Sequence, residues 1–308
     1  MKKKLWIALT MTRFFAINLL GLLGLLWFAA GLGNFEITLP FIGAVPPMSW
    51  PAIFCNIALF FIIMFGITGG YHRYFSHRTY KTWRWFQAVL ALLGSLAAQW
   101  GPILWTYHHR LHHKYSDKEL DLHSPVQKGF WWAHLLWIFF QIKLPEKIYY
   151  ANATTLQRIW YWIVPPANVY PKEVKDWTRF WELRLLDRWW IVPPILLGVA
   201  MYYFLGLAGL FAFFTCIVCT WHATFTINSV THIFGSRRFD TKDNSRNVWW
   251  LWLFTMGENW HNNHHDNPTA EPQGMYWWEI DLTHYIIVFL SWIKFVQEIK
   301  TRKTLQKI

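Results

Sequence analysis

Four runs of this chain carry no charged side chain: Phe14 to Phe35, Ile37 to Tyr71, Trp85 to Tyr107 and Trp189 to Trp221. A helix needs about 20 apolar residues to cross the hydrocarbon core of a bilayer. Every run reaches that length, and the last is long enough for two crossings, with Gly206 to Gly209 as the turn. Backbone polar groups inside a bilayer must be satisfied within the segment, so such runs are helical. Composition agrees. Hydrophobic residues make up 54% of the 308 residues and charged residues 15%, too little charge for the surface of a soluble domain of that length. The expectation is an all-α integral membrane protein of one domain, 1–308. It has four transmembrane helices at about 14–32, 51–71, 189–206 and 209–230, and a cytosolic helical cap from 72–188 and 231–308.

The run 85–107 is not counted as a crossing. A crossing there would put residues 72–77 and 108–113 on opposite faces, about 30 Å apart. It is expected as an interfacial or re-entrant helix, a reading helped by Gln87, Gln99 and Pro102. Phe130 to Ile142 is too short to cross and Trp277 to Phe295 is interrupted by charge, so both are expected at the interface as well. Met1 and three lysines precede the first run, and Ala29-Ala30-Gly31 is small enough for a cleavage site. The stretch nevertheless reads as an uncleaved first span.

A formal charge of +12 invites a nucleic-acid reading, but its distribution excludes one. All Lys and Arg fall within 1–13, 73–188 and 237–308. That is the positive-inside pattern of a multi-pass protein with both termini and the polar middle in the cytoplasm. The basic surface then faces anionic headgroups, an anionic substrate or a redox partner. Lys114, Arg237 and Arg238 are candidate contacts for an acyl head, with phospholipid headgroups as the competing role. Cys55, Cys216 and Cys219 all sit in expected spans. The CxxC spacing of the last two has no second thiol pair, which leaves a packing role.

Eight of the 14 His form three clusters at the expected membrane–cytoplasm boundary. They are His72-Arg-Tyr-Phe-Ser-His77, His109-Arg-Leu-His112-His113 and His261-Asn-Asn-His264-His265. On a helix, positions i, i+3 and i+4 project from one face, so each of the last two clusters turns three imidazoles to one side. The first pair, five apart, shares no helical face and is expected to straddle the end of the second span, with one ligand on the span and one just beyond. Imidazole suits zinc, copper, nickel and iron. Eight rings exceed one tetrahedral zinc, and HExxH is absent, so a two-metal site is the natural count. His232 can supply a ninth ring. Asn228, one turn before it, could reach a metal through water or cap a buried backbone group. Asp117, Asp121, Glu258 and Asp266 are candidates to accept the free ring N–H groups and so orient the ligands.

Four stretches carry a family resemblance: Gly69 to Arg78, His109 to Asp117, Asn228 to His232, and Gly257 to His265. Together they resemble the membrane fatty-acid desaturases, most closely the Δ9 acyl-CoA and acyl-lipid group, over about residues 50–282. The resemblance implies two iron ions held by His72, His77, His109, His112, His113, His232, His261, His264 and His265, with Asn228 bound to one iron through water. It implies dioxygen as co-substrate and a fatty acyl-CoA or acyl-lipid as substrate. It also implies an external electron donor of ferredoxin or cytochrome b5 type, since no haem or ferredoxin-like module is visible in the chain. His261 stands where some front-end desaturases carry Gln, which favours the Δ9 type. Asp121-Leu-His123 departs from the family's usual Asp-Pro-His. His222 lies outside the pattern, as a buried polar group or a substrate or proton contact. His108, His134 and His284 are read as structural or surface residues. The expected activity is cis desaturation of a saturated acyl chain. The alternatives are a membrane di-iron hydroxylase and, from another class, a metal transporter or sensor. Nearly all His sit at one face, against transport.

Overall fold

The computed structural model describes residues 2–140 and 154–302. Gln141 and Ile142, which end the stretch that begins at Phe130, lie outside them. Among the described residues, three helices are long and apolar enough to cross a membrane: Ile7–Gly33, Trp50–Ser76 and Val192–His232.

The third of these is broken inside. Gly206 has φ 61° and ψ −148°, a conformation in practice confined to glycine. The chain reverses there. A Cβ on Gly198 would lie 3.1 Å from the Phe213 ring, and one on Gly209 would lie 2.1 Å from the Met201 carbonyl oxygen. In an unbroken helix, residues 198 and 213 would be about 22 Å apart at 1.5 Å per residue. Segments 192–205 and 207–229 therefore form an antiparallel hairpin. The first helix packs along it, with Phe14 stacked on Trp221 at 5.4 Å between ring centroids.

The run Trp85 to Tyr107 forms no single long helix. It divides into Arg84–Ser95 and the start of Pro102–Tyr115, separated by left-handed Ala98 (φ 53°) and Trp100 (φ 69°). A helix of 12 residues spans about 18 Å, short of the roughly 30 Å hydrocarbon core.

The second long helix does not stop at Tyr71. From Gly66 to Ser76 it widens into a π-helix whose 11 residues are all buried. A π-helix is rare and is frequently found at functional sites. Here close packing supports it. Helix Arg84–Ser95 comes so near that a Cβ on Gly66 would lie 2.4 Å from the Leu93 carbonyl carbon. The Tyr71 hydroxyl also meets Ser95 Oγ at 2.9 Å.

The remaining polar part is built from short helices, among them Pro102–Tyr115, Trp181–Arg188, His261–Asp266 and Leu282–Trp292. One carboxylate ties two of these together. Asp187 Oδ1 accepts the otherwise free N–H groups of Ile103 (3.0 Å) and Leu104 (2.9 Å), which open the helix carrying the second histidine cluster. A carboxylate at a helix N-terminus also meets the positive end of its dipole.

Candidate metal centre

The three clusters and His232 come together as two neighbouring nests of ring nitrogens. One holds His72, His77, His109, His113 and His264. The other holds His112, His232, His261 and His265. Within each, the ligand atoms lie within 4.8 Å of one another. Each HxxHH cluster is shared between the nests. His109 and His113 turn to the first and His112 to the second, while His261 and His265 turn to the second and His264 to the first.

The first pair corrects the expectation from spacing. His72 and His77 do share a face, with ring centroids 4.9 Å apart. The cause is the π-helix, whose ladder closes on the fifth residue. The His77 N–H donates to the His72 carbonyl at 3.2 Å. Five-residue spacing on this backbone does what four-residue spacing does on an α-helix.

Carboxylates stand behind the rings. Glu258 lies 2.5 Å from His72 Nδ1, Asp121 3.1 Å from His112 Nδ1, Asp117 2.9 Å from His232 Nδ1 and Asp243 2.6 Å from His265 Nδ1. A carboxylate that accepts the Nδ1 proton leaves Nε2 as a bare lone pair. Asp117, Asp121 and Glu258 occupy the places the sequence suggested. Asp266 does not: it pairs with Arg302 at 3.0 Å and is 38% exposed. Asp243 was missed, because it lies 22 residues before its partner and in no histidine cluster.

Arg73, between the rings of the first pair in sequence, is buried among Glu258 (3.0 Å), Glu271 (2.9 Å) and Asp281 (2.8 Å). Glu258 thus bridges Arg73 and His72. The two asparagines of the third cluster are also fully buried and act as latches. Asn262 Oδ1 accepts from the N–H groups of Arg238 and Phe239, and Asn263 Nδ2 donates to the Gln273 carbonyl.

The electrostatics suit a cation. Burial first, and neighbouring rings second, push His77, His109, His113, His261 and His264 well below the ordinary imidazole value. Burial likewise lowers His265 to about 4 despite Asp243. These rings are neutral lone-pair donors at neutral pH. His112 is raised: burial pulls it down, but Asp121, with help from Asp117 and Asp243, more than offsets that. Asp117 is buried, yet His232, the Asn244 N–H and Ser124 hold it at about 2. The Nε2 atoms of His112 and His265 are buried without a hydrogen-bond partner. Elsewhere Nε2 faces Nε2, as between His72 and His264 (3.1 Å) and His232 and His261 (3.1 Å). Lone pairs turned toward one another and orphaned buried nitrogens are costly unless a cation sits among them. The donor set therefore fits two metal ions, one in each nest.

A cavity of about 330 Å³ leads to the nests. It is lined mainly by aromatic and aliphatic side chains, and a smaller pocket continues past it against Met64, Ile67 and Thr68. Trp105, His109, Thr224 and Asn228 line both. At this neck Trp105 stacks on His109 (5.1 Å, 13°), and Gln99 Nε2 donates to Thr224 Oγ1 at 3.1 Å. Asn228 thus stands where the cavity meets the rings.

None of Lys114, Arg237 and Arg238 lines this cavity; Arg13 does. Arg238 is engaged with Glu279 at 2.5 Å and Asn263 at 3.0 Å. His222 has partners on both ring nitrogens, Asn18 Oδ1 and His134 Nε2, each at 3.0 Å. It ties the first helix to the hairpin as a satisfied polar group. His284 pairs with buried Glu271, and His108 and His123 line the cavity.

Sequence comparison agrees with this geometry. The family model described as fatty acid desaturase matches residues 47–288. Delta-9 acyl-lipid desaturase 1 of Arabidopsis thaliana is 37% identical over 82% of this chain and 76% of its own length. The sn-2 palmitoyl-lipid 9-desaturase of Nostoc sp. is 37% identical over 79% of each. The sn-1 stearoyl-lipid 9-desaturase of Anabaena variabilis is 35% identical over 82% of this chain and 85% of its own. With that coverage and the paired histidine nests, the chain belongs to the fatty acid desaturase family.

Proposed function

We propose that this protein inserts a cis double bond at carbon 9 of a saturated acyl chain carried on a lipid, using dioxygen and two iron ions. The observation that carries the reading is the junction of an apolar cavity with two adjacent nests of five and four imidazoles. The relatives' names add the carrier and the position, which are facts about those proteins. In this reading the chain crosses the membrane four times, with the third and fourth crossings on either side of Gly206. Both termini and the metal site then face the cytoplasm, a topology the distribution of Lys and Arg supports.

An unactivated methylene has no acidic proton, so acid–base side chains cannot attack it. Bound iron supplies the hydrogen-abstracting redox chemistry. The reaction removes two hydrogens from neighbouring carbons and reduces dioxygen to two waters. Its balance needs two further electrons and two protons, so an external donor is required. The protein's own residues do the rest. His72, His77, His109, His113 and His264 would hold one ion, and His112, His232, His261 and His265 the other, with Asn228 reaching the site through water. Glu258, Asp117, Asp121 and Asp243 fix the tautomers of the rings they touch. Trp105, Gln99 and Thr224 form the neck that holds one pair of methylenes at the metals, which is where positional selectivity arises. Aromatic walls exclude water.

The test is the fatty-acid profile of a host unable to make unsaturated chains, expressing this protein or its His112→Ala variant, with double bonds located by mass spectrometry. A cis-monoene at carbon 9 that the variant fails to make supports the reading. A hydroxylated chain, or no product when an electron donor is supplied, overturns it.

A further inference from the structure

Helix Thr155–Ile163 buries none of its residues. Leu156, Ile159, Trp160 and Ile163 recur at i, i+3, i+4 and i+7, which makes one apolar stripe, with Arg158 and Tyr161 on the opposite side. The first three of these are 79%, 54% and 49% exposed. A nine-residue helix is marginal in water by itself. This one has a capping box, in which Thr154 Oγ1 accepts from the Gln157 N–H at 3.2 Å and Gln157 Oε1 accepts from the Thr154 N–H at 2.9 Å. The box satisfies the helix end but leaves the stripe uncovered.

What covers the stripe follows from what lies beside it. The Trp189 indole N–H donates to the Ile163 carbonyl at 3.0 Å, and its ring meets Trp162 at 5.1 Å. Trp190 and Ile191 come next and line the larger cavity. Val192 then opens the third long apolar helix, whose Ile195 and Leu196 are exposed. The end of the short helix is thus tied to Trp189, which directly precedes the cavity wall and the membrane-crossing segment. Tryptophan concentrates at the boundary between headgroups and acyl chains. Short helices with an apolar stripe and a basic residue opposite lie flat in that boundary.

We propose that Thr155–Ile163 is a membrane-surface helix, its Leu156, Ile159, Trp160 and Ile163 stripe sunk into the cytoplasmic leaflet beside the mouth of the acyl cavity. The side of the membrane and the role of the mouth rest on the proposed function; burial in lipid does not. On that reading, the helix holds the opening between Arg13 and Trp190–Ile191 at headgroup depth. A chain still attached to its lipid can then pass from the leaflet into the cavity without crossing water.

The test places a fluorophore on Ile159→Cys, Trp160→Cys or Arg158→Cys in a Cys55→Ser background, with the full chain in lipid nanodiscs. Nitroxide lipids labelled near the headgroup should quench positions 159 and 160 severalfold more than position 158. Aqueous iodide should show the reverse order. Equal iodide quenching at all three positions overturns the proposal. So does protection of 159 and 160 from both quenchers together with cross-linking between copies, which would assign the stripe to a second copy. None of these readings needs turnover, so they stand apart from any failure to find desaturation. If both hold, Ile159→Glu should raise the apparent KM for a bilayer-resident acyl-lipid and leave kcat and iron content unchanged. Because the helix buries none of its residues, that variant should fold.

Discussion

Substituting Asp243 by Asn tests whether the second nest depends on a residue that no histidine motif contains. Asp243 Oδ2 lies 2.6 Å from His265 Nδ1, while Thr241 Oγ1 and the Ser245 N–H donate to its Oδ1 at 3.0 Å each. Those two bonds fix which oxygen faces the ring. In Asp243→Asn they keep the amide oxygen in place and turn the NH2 group toward His265. Two donors then face each other, and His265 is driven to the tautomer with its proton on Nε2. That is the nitrogen buried without a partner among the other rings. A ligand is lost with almost no change in shape. Removing an outer partner of a metal ligand costs 10- to 100-fold in affinity, or about 1.4 to 2.7 kcal/mol. The assay is anaerobic iron(II) titration of apo-protein against a competing chelator, resolved into two binding steps. One step should weaken by about that factor and the other should hold. Asp266→Asn is the control. Its only described partner is Arg302 at 3.0 Å, and it touches none of the rings, so both steps should stay unchanged. Equal losses in the two variants, or no loss in Asp243→Asn, would refute the reasoning.

Three other substitutions test the scaffold. Asp187 is pushed up to about 6 by burial, against the pull of the Leu104 and Ile103 N–H groups and Tyr170. Its folded-state value exceeds the 3.8 of an ordinary Asp, so the folded state holds a proton that the unfolded chain has lost between about pH 4 and 6. Stability therefore falls as pH rises through that window, by about 3 kcal/mol. Asp187→Asn should flatten that slope in thermal melts in detergent and leave the melting temperature at pH 7 unchanged or higher. Arg73→Met leaves Glu258, Glu271 and Asp281 buried without their cation, a loss of about 3–5 kcal/mol. Size-exclusion profiles should show little monodisperse protein. Gln99→Leu removes the hydrogen bond to Thr224 at the neck of the cavity. Iron content should hold while the products spread from one double-bond position to several, as mass spectrometry would show.

The histidines were legible because their spacing is local. Two clusters at i, i+3 and i+4 declare a shared helical face, and the structure does bring those rings together. Their division into nests of five and four was not legible. It depends on how helices Pro102–Tyr115 and His261–Asp266 approach each other, and no periodicity within one helix encodes that. The first pair went further astray, since face-sharing was judged on an α-helical ladder. Gly66, Gly69 and Gly70 precede it, and a Cβ on Gly66 would meet the backbone at Leu93. That glycine run was the one visible sign that another backbone comes close enough to hold a π-helix.

The carboxylates mark the same limit from the other side. Asp117, Asp121 and Glu258 lie within a few residues of a histidine cluster and were reached by proximity. Asp266 was chosen on the same ground and points away, toward Arg302. Asp243 reaches His265 through a loop pinned by Asn262, whose Oδ1 takes the N–H groups of Arg238 and Phe239. The residue that positions the carboxylate is therefore inside the third cluster, between the histidines, although the carboxylate is not. A cluster of this kind encodes more than its ligands. Asn262 and Asn263 belong to neither nest of rings, yet they fix the loop that brings Asp243 to His265. An Asn262→Leu variant should for that reason weaken the same iron-binding step as Asp243→Asn. The double variant should lose little more than either single one, because both changes break one chain of contacts. Additive losses in that cycle would mean that the loop is held elsewhere.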